Sequence, residues 1–280
     1  MAVVLALGAA MVYGSADFMG GLVSRRVAPI AVAFGTQLTG LLMLLAVLPF
    51  LGPAAVTTAD LAWGGVAGLF GGLGVVILFR VLAQGPMSVV APVTALSAAV
   101  VPILAGLALG DRPAGSAFVG MGVSLVAVVL ITRERPAPGA PATIDRRVVL
   151  GSLAGGAVFG LFFVALHQTG HHAGLWPLLA ARLTSVPLLA MLVRRTAPTR
   201  VWRAAGVRRS IAVSGALDMA ANVLYLVALR HGMLAVVAAV AGLYPAATVL
   251  LARSHLDERL HRTQLLGLGV AACAAVLVAV

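Results

Sequence analysis

The 280-residue sequence contains no lysine, one cysteine and only eight acidic residues. The lone Cys273 excludes an internal disulfide and offers no thiolate cluster for a metal. Eight carboxylates, mostly outside the apolar runs, provide no acid pair beside a nucleophile or metal ligands, so the chain is not read as an enzyme. His167, followed by His171 and His172, has no further ligand type nearby, and no metal site is expected. Gly71-Gly72-Leu73-Gly74 lies inside an apolar run, where a phosphate loop is out of place, and no cofactor is expected. Charged residues make up 10% of the chain, far below the quarter usual for a soluble domain.

Apolar sequence fills the space. Hydrophobic residues reach 61% and the mean hydropathy is +1.09. They come in runs of about 20, the length that crosses a hydrocarbon core as helix. Ten spans are predicted, at about 2–22, 30–51, 61–80, 87–109, 114–132, 148–168, 174–193, 210–229, 232–252 and 263–280. The first run has no charged leading segment and reads as a span, not a cleaved signal. All 19 basic residues are arginine, and 18 lie between or at the ends of the runs. That is loop charge read against a lipid bilayer, and it excludes nucleic acid as a partner.

The chain repeats itself. At a shift of 147, Gly85 falls on Gly232, Val89-Val90-Ala91 on Val236-Val237-Ala238, and Leu96 on Leu243. The register continues through Asp111-Arg112 on Glu258-Arg259 and Gly120, Gly122 on Gly267, Gly269, with no gap. Val12-Tyr13-Gly14 matches Val158-Phe159-Gly160, and Gln37-Leu38-Thr39-Gly40 matches Arg182-Leu183-Thr184-Ser185. Such self-similarity marks a duplication. Residues 1–132 form the first five-span repeat, 133–147 a proline-bearing linker, and 148–280 the second repeat. An odd span count obliges the second repeat to enter from the opposite side. The expected fold is therefore all-α, ten transmembrane helices as two inverted five-helix repeats, with a midplane site and alternating access. Sixteen arginines fall on one face and only Arg112 and Arg230 on the other, which puts both termini outside a cell membrane, expected to be a bacterial plasma membrane. Glycines four apart, such as Gly64, Gly68 and Gly72, and Gly106 with Gly110, are expected at helix seams.

Asp17, His167, Arg182 and Asp218 are ionisable residues within apolar runs, where charge is costly and normally faces the bundle interior or a cavity. Asp218 is read either as a substrate-amine or proton site or as the partner of Arg182. Asp17, toward a helix end, is either functional or else hydrated or paired with Arg25. Asn222 and Tyr225 share a helical face with Asp218, and Tyr13 lies four residues before Asp17, with Phe18 beside it. Thr94 and Ser97 are three apart in span four, and Tyr244-Pro245 interrupts span nine. Pro92, Pro102 and Pro245 free mid-span carbonyls that only protein or a cavity can satisfy. Gln37 and Phe163 complete the candidate substrate-binding set, and Asp17 and Asp218 are the candidates for proton coupling.

The phrase AVVAAVAGLYPAATVLLARSHLDERL…QLLGLGV, with its first copy VVAPVTALSAAVVPILAGLALGDRP…GMGV, resembles the EamA domain of the drug/metabolite transporter superfamily. The resemblance covers essentially the whole chain, and the family's second-span arginine matches Arg182. It implies a secondary transporter of small metabolites such as amino acids or amines, in a wider group where coupling to protons is common; a monomer or homodimer is expected. Two departures stand out: Asp111 replaces the usual Glu, and the arginine asymmetry puts both termini opposite to the cytoplasmic side that the resemblance implies. A flippase for a lipid-linked sugar or amine is the alternative reading.

Overall fold

The computed structural model describes residues 1–51, 54–85, 87–131, 145–196, 205–256 and 262–279. Most of the linker and the Asp257-Glu258-Arg259 cluster lie outside the described residues. Among those described there are eleven α-helices, two single turns of 3-10 helix and no strand. The helices are α1 (Ala2–Ser24), α2 (Pro29–Val47), α3 (Thr58–Gln84), α4 (Met87–Leu109), α5 (Gly115–Ile131), α6 (Arg146–His167), α7 (Trp176–Thr196), α8 (Ala205–Leu229), α9 (Leu234–Ala241), α10 (Pro245–Leu256) and α11 (Arg262–Ala279). Eight helical segments are long and apolar enough to cross a membrane, and Gly115–Ile131 and Leu234–Thr248 are shorter apolar stretches.

Local chemistry sets the helix ends. Pro29 opens α2, where its missing N–H is not needed and its φ already suits a helix. Thr57 and Asp60 cap α3 reciprocally: Thr57 Oγ1 accepts from Asp60 N at 3.2 Å, and Asp60 Oδ2 accepts from Thr57 N at 2.9 Å. Asp145 caps α6 by accepting from Arg147 N at 2.8 Å. Gly110 is not a seam residue as its spacing suggested. It sits just beyond α4 at φ +107°, a left-handed stop that lets Asp111 N donate back to Gly106 O at 2.8 Å.

The ninth span, 232–252, is interrupted where Tyr244-Pro245 led one to expect it. It is two helices, α9 and α10, joined through Gly242-Leu243-Tyr244. Pro245 has no N–H to give Ala241, and its ring crowds that carbonyl. The chain compensates with tighter turns: Leu243 N donates to Val240 O at 3.1 Å and Tyr244 N to Ala241 O at 3.2 Å. Pro92 and Pro102 leave α4 in one piece.

The most extensive packing joins α1 to α8, α3 to α6 and α7, α4 to α6, and α5 to α11. Small residues permit these approaches. Gly68 lies against the Ala181 carbonyl and Gly215 against that of Thr36. Gly120 abuts Val278, and Gly267 abuts Ile131. Gly14 faces Ala247, and Gly160 faces Val101.

Candidate functional site

Helices α2, α7 and α8 bring together the only ion pair among the described residues. Arg182 Nη2 donates to Asp218 Oδ2 at 2.6 Å, and Arg182 Nη1 donates to Gln37 Oε1. Ser185 Oγ donates to the same Gln37 oxygen at 3.2 Å. Room for the guanidinium exists because α2 carries Gly40 there: a Cβ would sit 3.0 Å from Arg182 Nε. Arg182 is 3% exposed, so both terminal nitrogens must be matched, and they are.

The i+4 spacing of Asp218 and Asn222 is used. Asn222 Nδ2 donates to the Asp218 carbonyl at 2.7 Å, which turns Asn222 Oδ1 to accept from Tyr13 Oη at 3.0 Å. Phe163 of α6 stacks on Tyr225 with ring centroids 4.2 Å apart and meets Tyr13 edge-on at 6.0 Å. Stacked and edge-on rings hold one another rigidly. Tyr225 is fully buried in this cluster and its hydroxyl has no partner.

Beside this cluster is a cavity open at its mouth, with about 670 Å³ of non-atom space that includes the solvent there. Tyr13, Asp17, Phe163, Asp218 and Tyr244 line it. Of the other sequence candidates, Gln37, Arg182, Asn222 and Tyr225 stand behind that lining as a supporting layer, and Phe18 is buried in α1 without reaching it. Thr94 is buried with an unpartnered hydroxyl. Ser97 turns its hydroxyl back onto the Val93 and Thr94 carbonyls. Sequence reasoning passed over Phe79, Phe159, Thr36, Ser214 and Gly242, which also line the cavity. Of these, only Ser214 and Thr36 carry a polar signal within an apolar run. Arg25, weighed as a partner for Asp17, instead points its Nε at Leu82 O, 3.5 Å away.

The cavity lies mid-bundle, bounded by Phe163 and Ala238 on one side and by Asp17 and Phe79 toward the arginine-rich end. Polar ties close the opposite end. Gly170 N donates to Asp60 Oδ1 at 2.6 Å, Ala55 N to His172 O at 3.1 Å, and Ala235 N, opening α9, to Asp111 Oδ2 at 2.9 Å. Arg230 Nη2 donates to Gly174 O.

No curated protein matches this sequence. Among solved structures, one described only as "Crystal structure of protein" is 16% identical, covers 99% of this chain and 95% of its own, and has a TM-score of 0.75. At that identity the likeness shows the fold alone. The model of the EamA-like transporter family matches twice, over residues 1–133 and 146–280, and so accounts for nearly every residue. With apolar helices throughout and a cavity between the two matched segments, this multi-pass membrane transporter belongs to the EamA-like transporter family.

Proposed function

We propose that the protein is a secondary active transporter of small metabolites such as amino acids or amines, coupled to protons and working by alternating access about this cavity. The cavity carries the reading: residues of both matched segments line it, and two carboxylates, Asp17 and Asp218, face it from within membrane-spanning helices. Charge held at such depth marks substrate and proton paths. The ties among Asp60, Gly170, Asp111 and Ala235 hold the end of the bundle away from the arginines together, which supports a state closed at that end. Opening the other way breaks those ties.

Ten spans in two inverted repeats, 1–132 and 148–280, supply the moving parts in this proposal. Exchanged contacts support it. At the sequence shifts of the duplication, Gly68 against Ala181 becomes Gly215 against Thr36, and Gly120 against Val278 becomes Gly267 against Ile131. A two-fold axis in the membrane plane generates such swaps. The arginine-rich ends lie in the cytoplasm of a bacterial cell, by charge asymmetry.

Flux of labelled amino acids and amines into and out of proteoliposomes, with and without a proton gradient, tests the proposal. Saturable, gradient-driven flux is expected, and Asp218→Asn is expected to abolish the gradient dependence in a folded protein. Normal coupling in that variant would make Asp218 structural.

A further inference from the structure

The two walls of the cavity differ in chemistry. Helices α1 and α8, packed on each other, present Asp17 and Asp218. Helices α3 and α6, likewise packed together, present Phe79, Phe159 and Phe163. Among the described residues no arginine or histidine reaches the lining. Arg182, beside Asp218, has its terminal nitrogens engaged by Asp218 and Gln37 and is buried behind the wall. The Arg182–Asp218 pair is formally neutral. Asp17 is left as a carboxylate with no hydrogen-bonding partner among the described residues, on a cavity within the bilayer.

We infer that the cavity takes an amphiphilic organic cation, its ammonium group at Asp17 and its apolar body against the phenyl rings of α3 and α6. This rests on the transporter reading and narrows its substrate class. A cation completes the charge balance that the lining lacks, and a buried charge is tolerated when it is paired. Phenyl faces attract an ammonium group and the carbon atoms beside it, so the second wall favours the same ligand. A carboxylate on the ligand would add a second unmatched negative charge, since no cation in the lining can receive it. A zwitterionic amino acid therefore binds worse than the amine made by removing its carboxylate.

Three ligands sharing one phenyl ring separate the charge classes: phenethylamine, phenylalanine and 3-phenylpropionate. Calorimetry on the purified full-length protein in detergent should show phenethylamine binding at least tenfold tighter than phenylalanine, with no heat from 3-phenylpropionate. Asp17→Asn should weaken phenethylamine at least tenfold, and Asp17→Glu should restore most of it. The wild-type ranking decides the charge class even if a variant fails to fold. Phenylalanine binding as tightly as phenethylamine, or no binding by any of the three, overturns the inference. Unchanged phenethylamine affinity in folded Asp17→Asn removes Asp17 from the site and overturns the assignment as well. Liposome flux is read separately: amino-acid flux without amine binding sinks this inference alone, whereas phenethylamine binding without flux of any compound sinks the transport reading and leaves the site.

Discussion

Placed in register, the two halves of the chain agree where helices touch and disagree where chemistry can occur. Gly68 and Gly215 match, as do Gly120 and Gly267, and each packs against backbone or small side chains of the other half. Around the cavity the matches are unlike: Tyr13 corresponds to Phe159, Asp17 to Phe163, Arg182 to Gln37 and Asp218 to Gly71. The ninth span breaks at Gly242 and Tyr244, whereas α4 runs unbroken through Ala95 and Ser97 at the matching positions. Packing constrains backbone separation, and both halves face that constraint equally. Polar groups inside a bilayer are costly, so only as many are kept as a use requires. They collect on α1, α7 and α8, and the site acquires a polar wall and an aromatic one from a symmetric frame.

The largest expected effect comes from removing the odd member of an unlike pair. Arg182→Leu leaves Asp218 without its charged partner and Gln37 with only the Ser185 hydroxyl, and the loss should be about 3–5 kcal/mol, measured by denaturation in detergent. Converting both residues to their first-half counterparts, Arg182→Gln with Asp218→Gly, removes the charges together and should recover most of that stability. A double variant no better than the single one would show that the pair does more than neutralise itself.

The like pairs come next. Gly68→Val and Gly215→Val each drive a side chain into the facing backbone of Ala181 or Thr36, at about 1–3 kcal/mol. Equal losses are expected because the contacts are exchanged copies. A large loss at one site and none at the other would break the symmetry argued from these seams.

How far sequence alone could reach follows the same division. Hydropathy located the apolar helices because about 20 apolar residues have few other uses, and the break at Tyr244-Pro245 carries its proline in plain view. The Arg182–Asp218 pairing was legible as a possibility, since two opposite charges in apolar runs need each other. Phe79 and Phe159 were not legible: a mid-span phenylalanine facing a cavity reads the same as one facing lipid. Asp60 looked like loop charge. Its Thr57-x-x-Asp60 spacing is a cap signal, but the bond to Gly170, 110 positions away, leaves no local trace.

Asp60 also separates the two ends of the bundle. Its match in the second half is Val207, which can neither cap nor tie. Asp60→Ala should cost about 1 kcal/mol through the lost cap. It should also raise the labelling rate of a cysteine placed at Gly170, because the tie between α3 and the α6–α7 connection is gone. Val207→Ala should leave that labelling rate unchanged.

The smallest effect tests the frame where nothing touches it. Gly122 and Gly269 match each other in α5 and α11, and a Cβ built on either meets no atom within 4 Å. Neither has the positive φ that would strain an L residue. A glycine in a helix interior costs roughly 0.5–1 kcal/mol relative to alanine, through the freedom it gives the unfolded chain. Gly122→Ala and Gly269→Ala should each therefore raise thermal stability slightly and leave flux unchanged, the opposite sign from Gly68→Val and Gly215→Val. A loss of stability at both would mean that this face is covered in the membrane by something that approaches closely. A second copy of the chain, packing α5 and α11 across a shared seam, would produce that sign, and crosslinking through Cys273, exposed on α11, would detect it.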